Sequence, residues 1–252
     1  MNIVVCVKFV REELVGGKSG NSGEYSMNPY DLFALEAAIR CKAVWGGHIT
    51  CISMGAEVIQ KSLSKCLALG ADDVVWLKDT AFSGSDTVAT SNVLYHAIKE
   101  HLKYNLLMCG GMSVDGETGQ VPAGLADHLN IRYIPGVKEI INIDDSTLTI
   151  KTVRGNFETI MAVGLPAVIS FSDFTINSTI CPSLLDIKRA RKKENKIYTL
   201  KELQLSCQQC GLKGSKTKVL ATEAIMHKKK GIHLKGESMK GAEIIHNIII
   251  KK

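Results

Sequence analysis

Short apolar runs alternate with amphipathic segments through the first half of the chain, and this alternation most constrains its fold. The strand candidates are Asn2–Val10, His48–Met54, Asp73–Leu77 and Asn105–Cys109. The helix candidates are Pro29–Trp45, Ala56–Leu69, Asp86–Leu102 and Thr118–Leu129. Near-continuous apolar strands separated by helices are typical of a parallel sheet that is covered on both faces. We therefore predict an α/β fold with a doubly wound, mostly parallel, Rossmann-like sheet.

The pattern changes after Ile131, where strand-like runs follow one another without helices. These runs are Tyr133–Ile143, Leu148–Arg154 and Thr159–Ser172. Asp144-Asp145-Ser146 and Gly155-Asn156 join them, and both have residues typical of tight turns. We expect antiparallel hairpin strands added to the end of the parallel sheet. Residues 1–175 are thus predicted to form one α/β domain with a hairpin extension.

The chain becomes polar and basic from Ile176 onward. Residues 176–200 are predicted to form a loop and a basic helix near Leu184–Lys192. Residues 201–252 contain few core-forming runs beyond Ile244–Ile250. We expect them to form an extended C-terminal arm that packs on a partner subunit, because a segment that cannot bury itself usually lies on another chain.

Composition is that of a globular protein, with 45% hydrophobic and 22% charged residues and a mean hydropathy of +0.07. No apolar run reaches about 18 residues, so no membrane insertion is expected. The first ten residues read as a strand and not as a secretion signal, which favours a cytoplasmic location. The net charge is +6. Its excess lies in Lys188–Lys196 and Lys228–Lys230, which are either solvated faces or docking surfaces for an acidic partner; no nucleic acid is expected.

Several familiar motifs are incomplete in this chain. Cys207 and Cys210 form a single CxxC without the second pair that a zinc site needs, so no metal is predicted. Gly16-Gly17-Lys18-Ser19 lacks the first glycine of a P-loop, since Glu12 stands there, and Val15–Gly23 reads as a flexible surface loop. GxGxxG, HExxH and GxSxG are absent. No nucleophile paired with a base is found, and no catalytic side chain is predicted.

Candidate chemistry lies in the loops that follow the strands. Gly110–Gln120 has two glycines that allow close backbone approach, and Thr118 can cap a helix whose N-terminus would offer N–H groups to phosphate. Asp115 and Gln120 can hydrogen-bond ribose or base. An ordinary turn that happens to contain glycines is the alternative. Small or polar residues also follow the other strands, in Met27–Asp31, Ser53–Gly55 and Ser83–Thr87, and this convergence favours a nucleotide site.

The chain resembles the β (small) subunit of electron transfer flavoprotein over almost its whole length. The segments that carry the resemblance are Val4–Lys8, Met27–Asp31 with Ala34–Ala38, Ser53–Gly55, Ala68–Asp72, Asp115–Gln120, Ile150 with Arg154, Gly155, Glu158 and Leu165–Val168, Pro182–Leu184 with Lys188–Lys193, and Gly211–Ser215. The resemblance implies a heterodimer with a larger α subunit that carries a redox-active FAD. The β subunit then holds a nucleotide of its own, either a structural AMP or, in electron-bifurcating members, a second FAD that accepts hydride from NADH.

Residues are carried over from the family to matching positions of this chain. The implied cofactor-binding residues are Cys6, Asn28, Pro29, Tyr30, Asp31, Met54, Asp86, Thr87, Thr90, Gly110, Gly111, Met112, Ser113, Val114, Asp115, Gly116, Glu117, Thr118, Gly119, Gln120 and Val121. The implied partner-recognition residues are Leu184, as an apolar anchor, and Lys188, Arg189 and Arg191. The implied partners besides the α subunit are a flavin dehydrogenase, of acyl-CoA or 2-hydroxy-acid type, and ferredoxin.

Two features favour FAD over AMP in this subunit. Ser85–Ser91 looks like a run found in bifurcating members of anaerobic metabolism, and the loop passes from Asp115-Gly116 to Thr118 without extra acidic residues. One departure is that Phe9-Val10-Arg11-Glu12 stands where the family commonly has Gln-Val-Pro-Asp, so local contacts there are not carried over. The alternatives are a non-bifurcating β subunit with AMP and, from another class, a nucleotide-binding protein of the universal-stress type.

Overall fold

The computed structural model describes residues 1–15, 24–144, 146–171, 180–221 and 238–250. The chain divides into two compact units, Met1–Lys218 and Val219–Lys252. Most of the predicted surface loop at 15–23 and the basic run Lys228–Lys230 lie outside the described residues.

The first unit contains twelve described strands and six described α-helices. In chain order the strands are β1 (Asn2–Cys6), β2 (Phe9–Arg11), β3 (Tyr25–Met27), β4 (His48–Met54), β5 (Asp73–Leu77), β6 (Leu106–Gly110), β7 (Arg132–Ile134), β8 (Val137–Ile143), β9 (Thr147–Arg154), β10 (Phe157–Gly164), β11 (Ala167–Phe171) and β12 (Lys196–Tyr198). The helices are α1 (Pro29–Trp45), α2 (Gln60–Leu69), α3 (Thr87–His101), α4 (Val121–Leu129), α5 (Leu184–Ala190) and α6 (Gly211–Gly214). The second unit contains α7 (Ser238–Ile250).

The predicted doubly wound parallel sheet is confirmed. Seven strands lie in the order β12-β5-β4-β1-β6-β11-β7, and every neighbouring pair is parallel. The chain builds outward from β1 through β4 to β5 and then crosses back to place β6 on the other side of β1. The strand order therefore reverses between β1 and β6, which makes this the topological switch point of the sheet.

Both faces of the sheet are covered, which explains the near-continuous apolar strands. In β1, Ile3 and Val5 pack in the cluster that includes Leu35 of α1, whereas Val4 packs in the cluster that includes Ile98 of α3. Successive side chains of a strand point to opposite faces, so a strand between two helical layers is apolar at every position.

The prediction of one strand over Asn2–Val10 is wrong. The Val7 N–H still donates to Ile52 in β4, but the Lys8 N–H turns to the carboxylate of Asp31. The chain leaves the main sheet there, and β2 pairs with β3 as a small antiparallel ribbon. A side-chain acceptor thus replaces the neighbouring strand as the partner of the backbone, and this ends the strand.

The predicted strands Tyr133–Ile143 and Thr159–Ser172 are also each divided in two. The first breaks at Pro135-Gly136, where proline lacks an N–H group and Gly136 has a φ of 71°. The second breaks at Leu165-Pro166, whose peptide bond is cis. As a result β7 and β11 join the parallel sheet, while β8, β9 and β10 form a separate antiparallel sheet. The hairpins therefore do not extend the main sheet as expected.

Helix starts follow the predicted bounds in part. The α1 bounds are confirmed, and the carboxylate of Asp86 caps α3 by accepting the Ala89 N–H at 2.9 Å. The start predicted at Thr118 is wrong, because α4 begins at Val121 with Gln120 in the N-cap position and without a side-chain cap. The start predicted at Ala56 is replaced by a 3-10 turn over Glu57–Ile59, and α2 follows it.

The first unit extends beyond the domain boundary predicted at residue 175. Leu203, Leu205 and Cys210 are buried on the α3 side of the sheet, and β12 adds an edge strand next to β5. The segment from 201 to Lys218 thus belongs to the first unit and adds three side chains to its core, and packing of the later residues on a partner stays a prediction. None of the described helices is long and apolar enough to cross a membrane.

Candidate functional site

The carboxyl ends of β1, β4, β5 and β6 lie at one edge of the sheet, as expected for parallel strands. Cys6 is the register partner of Cys109 in β6 and of Ile52 in β4. The segments that follow β1, β4, β5 and β6 begin at Val7, Gly55, Lys78 and Gly111 respectively. Ligands of open α/β sheets bind beyond this edge at the switch point. The crevice between β1 and β6, which we call the switch crevice, is therefore the candidate site.

Asp31 joins the two strands that flank the switch crevice. Its carboxylate accepts the backbone N–H of Lys8 at 2.8 Å and that of Gly110 at 3.1 Å. Burial raises the pKa of Asp31 to about 7, although these N–H groups and the Asn28 side chain oppose the rise. Its neighbour Tyr30 lies against Gly110, since a Cβ on that glycine would lie 2.7 Å from the Tyr30 Cβ.

Asn28 holds the loop that follows β6. It is fully buried, and its amide Nδ2 donates to the carbonyl oxygen of Met112 at 2.8 Å. Its Oδ1 accepts the Val114 N–H at 3.2 Å. Asn28 stands in the N-cap position of α1 but makes no side-chain cap bond there. Pro29 follows in the first turn of the helix.

Lys8 is a site residue that the predicted set lacks. Its ammonium lies 2.7 Å from the carboxylate of Asp115, so an ion pair spans from the end of β1 to the loop after β6. Partial burial acts to raise the pKa of the Asp115 carboxyl. The hydrogen bonds from Lys8 and Ser113 outweigh this effect of burial and hold the pKa below its ordinary value. The position of Lys8, two residues after a strand that borders the switch point, is the signal that finds it.

The loop between Asp115 and α4 presents free backbone donors. Among the described residues, the N–H groups of Thr118, Gly119 and Gln120 make no hydrogen bond. Gly119 has a left-handed φ of 63°, and Gln120 is in the right-handed helical region. Such an alternation turns successive N–H groups toward one point and makes an anion-binding concavity. The start of α4 adds its dipole to the same place.

The first part of the loop is tied to the scaffold. The Gly111 N–H donates to Phe171 of β11 at 2.7 Å, and the Ser113 carbonyl accepts from Gly116 and Glu117. Glu117 has a left-handed φ of 49°. The loop therefore has a held part at Gly110–Glu117 and an open run of donors that follows it.

The α3 start, predicted as a cofactor segment, lies beside the α4 start. A Cβ on Gly124 would lie 2.8 Å from the Ser91 hydroxyl, so the two helices approach closely. Asp86 is used internally: besides capping α3, it accepts the backbone N–H groups of Lys216 and Thr217. Hydrogen bonds from those groups hold its pKa below the ordinary value, against the effect of burial.

The remaining predicted cofactor residues fall at the same edge. Cys6 ends β1, Met54 ends β4, and Val121 begins α4. The hydroxyls of Thr87 and Thr90, in the first turn of α3, donate no hydrogen bond within the part of the chain that the structure describes. The structure thus places the predicted residues around one edge, with Asn28, Asp31 and Asp86 turned toward the protein itself.

The predicted recognition segment is a short helix with an exposed first turn. Leu184 is 86% exposed and begins α5, and Leu185 beside it is 65% exposed. Ser183 and Asp186 form a capping box that fixes the helix start. A cavity of about 1190 Å³ lies between α5 and α2. Large exposed apolar side chains on a capped helix are typical of a contact surface.

Comparison with known proteins shows the family of this chain. The family model of the electron transfer flavoprotein domain matches residues 20–203. The chain belongs to the electron transfer flavoprotein family. An electron transfer flavoprotein subunit beta from Clostridium acetobutylicum is 36% identical over 229 residues, which cover 87% of this chain and 86% of the relative.

Other members of the family show the same type of match. An electron transfer flavoprotein subunit beta from Thermoanaerobacterium thermosaccharolyticum is 38% identical and covers 78% of this chain and 75% of its own. A protein FixA from Azotobacter vinelandii is 36% identical, with 77% and 70% covered. As a relative of β subunits and FixA proteins, this electron transfer flavoprotein chain has a role in electron transfer.

Proposed function

We propose that this chain is the β subunit of an electron transfer flavoprotein that binds an adenine nucleotide, with FAD favoured over AMP, in the switch crevice. It would pair with a larger α subunit that carries its own FAD. The main support for this proposal is the run of free N–H groups at Thr118–Gln120, which lies where α4 begins at the carboxyl edge of the sheet. Backbone donors of this kind suit a pyrophosphate or a phosphate.

The residues of the chain would act by binding and orienting, and no side chain needs to gain or lose a proton. The open N–H groups would hold phosphate oxygens, and Lys8 would add a positive charge close to them. The hydroxyls of Thr87 and Thr90 at the start of α3 would face the part of the ligand beyond the phosphates. A bound FAD would supply hydride acceptance from NADH and electron transfer to the α subunit, while the protein sets its potential and distance.

The preference for FAD rests on the sequence run Ser85–Ser91 and on the short loop after Asp115. The close approach of α3 to α4 at Ser91 and Gly124 supports it, because both helices start at the carboxyl edge of the sheet. Bifurcation, with ferredoxin as one acceptor, is the function that a second FAD would permit. An AMP here would make the subunit a structural partner in a simple electron carrier. The family match leaves the universal-stress alternative without support.

The exposed end of α5 is the proposed contact for a flavin dehydrogenase. Leu184 would be buried in a pocket of that partner, and Lys188, Arg189 and Arg191 would steer its approach. All three cations are exposed on the surface. Exposed charges of one sign raise association rates more than they raise final affinity.

The nucleotide site is tested by two glycine variants of the same loop in the heterodimer with the α subunit. A Cβ on Gly119 would lie 2.9 Å from the Gly111 carbonyl oxygen, and its φ of 63° disfavours any other residue. A Cβ on Gly116 would meet only the Ser113 hydroxyl, at 3.4 Å. We expect Gly119→Ala to weaken nucleotide retention about tenfold or more, the cost of one charge-assisted hydrogen bond, and Gly116→Ala to retain it. Equal nucleotide retention in the two variants would contradict the assignment of the nucleotide site to this loop.

A further inference from the structure

Asn28 and Asp31 stand among the residues that the family resemblance assigns to nucleotide contact, yet their side chains are already used. Asn28 is 0% exposed and Asp31 7% exposed. The Asn28 amide NH₂ donates to the Met112 carbonyl oxygen at 2.8 Å, and its Oδ1 accepts the Val114 N–H at 3.2 Å. The NH₂ and the oxygen of the Asn28 amide are thus both engaged within the protein.

Asp31 is engaged in the same way. Each of its two carboxylate oxygens accepts one backbone N–H, from Lys8 at the end of β1 and from Gly110 at the end of β6. A Cβ on Gly110 would lie 2.2 Å from the Asp31 Oδ1, so the carboxylate rests directly on that glycine. No room is left between the carboxylate and the strand end for a ligand atom.

We infer that Asn28 and Asp31 are positioning residues, which set nucleotide affinity by holding the backbone of Gly110–Val114 and do not touch the nucleotide. The inference rests on the proposed function, since it concerns the same site. The two side chains come from the start of one helix and reach both borders of the switch crevice. They fix the distance between the end of β1 and the loop whose later part carries the free N–H donors.

The physical basis is the high cost of leaving a buried polar group without its partner. Removal of the Asn28 amide leaves the Met112 carbonyl and the Val114 N–H unpaired, and the loop must then move to reach water. A loop displaced by about 1 Å no longer aims its donors at one point. Affinity is therefore lost for every nucleotide that the loop binds, whichever hydroxyl groups the ribose carries.

The test uses the nucleotide-depleted heterodimer, with AMP, 2′-deoxy-AMP and 3′-deoxy-AMP as probes. We expect Asn28→Ala to raise the Kd of all three by the same factor, about tenfold or more, and to speed amide hydrogen exchange at 110–116. Asn105→Ala is the matched control, because Asn105 ties the amino ends of β1 and β6 by accepting the Asn2 N–H at 2.8 Å. Asn105→Ala should change neither the three Kd values nor the rate of amide hydrogen exchange at 110–116.

A second pair of variants covers the case in which Asn28→Ala does not fold. Asp31→Asn keeps the size of the side chain but sets an NH₂ group against one of the two backbone N–H groups. Its control is Asp72→Asn, which alters a carboxylate that accepts the Ile49 N–H at 2.8 Å at the amino edge of the sheet. Asp31→Asn should raise the Kd of all three nucleotides by the same factor, whereas Asp72→Asn should leave the three Kd values unchanged.

Two results would overturn the inference. One is a loss of affinity in Asn28→Ala that vanishes with one deoxy probe, which would show direct contact between Asn28 and that hydroxyl. The other is unchanged amide exchange at 110–116 in both Asn28→Ala and Asp31→Asn. A wild-type heterodimer that binds neither AMP nor FAD in this subunit would instead contradict the proposed function, and the exchange measurement would still decide whether these residues hold the loop.

Discussion

The ammonium of Lys8 lies 2.7 Å from the carboxylate of Asp115, which places an ion pair across the mouth of the switch crevice. The Lys8 side chain is 49% exposed and that of Asp115 is 33% exposed. Exposed pairs contribute about 0 to 1 kcal/mol to stability, so this pair matters more for where it holds the cation than for folding. A phosphate bound at 118–120 would compete with Asp115 for Lys8.

Lys8→Gln and Asp115→Asn should therefore act in opposite directions on nucleotide binding, although both remove the same ion pair. Lys8→Gln removes a cation near the phosphate and should raise the Kd about fivefold to tenfold. Asp115→Asn frees Lys8 and should leave the Kd unchanged or lower it. Calorimetric titration of the heterodimer with AMP measures both. A rise in Kd with Asp115→Asn equal to that with Lys8→Gln would count against this assignment.

The raised pKa of Asp31 predicts a particular pH dependence of stability. Its pKa is about 7 when folded and 3.8 when unfolded, so the folded state binds the proton more tightly. The free energy of unfolding should then fall as pH rises between these values, by about 2 to 3 kcal/mol between pH 5 and 8 from this group. Denaturant unfolding of wild type and Asp31→Asn at each pH measures the difference.

In Asp31→Asn the fall in the free energy of unfolding with rising pH should be absent. The stability of this variant relative to wild type should therefore increase as pH rises. Asp72→Asn is the control. Burial raises the pKa of Asp72, but hydrogen bonds from Lys42 and the Ile49 N–H outweigh it and leave the pKa below its ordinary value. The stability that Asp72 contributes is lost only at acid pH, below that range. Parallel curves for wild type and Asp31→Asn would contradict the assignment of a buried carboxyl with a raised pKa.

Leu184 should matter for partner docking and not for folding. Its side chain is 86% exposed, so Leu184→Ala should change the free energy of unfolding by less than about 0.5 kcal/mol. We expect it to lower kcat/KM for electron exchange with the partner dehydrogenase about tenfold or more. Val44→Ala, at a 69% exposed position of α1, is the control and should leave kcat/KM unchanged. Equal rates for both variants would remove Leu184 from the docking surface.

Asp86 should hold the segment that follows α6 against the start of α3. Asp86→Ala removes the α3 cap and the acceptor of the Lys216 and Thr217 N–H groups. We expect a loss of about 2 to 3 kcal/mol, and faster tryptic cleavage at Lys213 and Lys216. Asp127→Ala, an exposed position of α4, should leave the cleavage rate as in wild type. Wild-type cleavage in Asp86→Ala would show that the segment is held by other contacts.

The sequence predicts the parallel part of the fold well because its signals there are local. The bounds of α1, β4 and β5 are confirmed, since proline, glycine and charged residues mark their ends. The breaks at Val7-Lys8 and Leu165-Pro166 are missed, because apolar residues continue on both sides of each break. Which sheet such a strand joins depends on pairing with distant segments, and a local pattern does not contain this information.

The location of the candidate site in the fold could be predicted from the sequence, but the contacts of its side chains could not. The position of the 110–120 loop follows from its location after a strand that borders the switch point. That Asn28 and Asp31 turn toward this loop, and that Lys8 pairs with Asp115, depends on contacts between segments about 80 to 107 residues apart. The sequence therefore points to a loop that lies at the switch crevice, and the nucleotide contact that the family resemblance implies for Asn28 and Asp31 stays a prediction, since both side chains are bonded within the protein.

The nucleotide content of the purified heterodimer tests the central claim most directly. Nucleotides would be released by acid from the complex of this chain with its α subunit, and FAD and AMP would be counted per heterodimer. The account predicts two FAD and no AMP, one FAD being held by each subunit. One FAD with one AMP would contradict the FAD assignment, and one FAD with no second nucleotide would contradict the switch crevice as a nucleotide site.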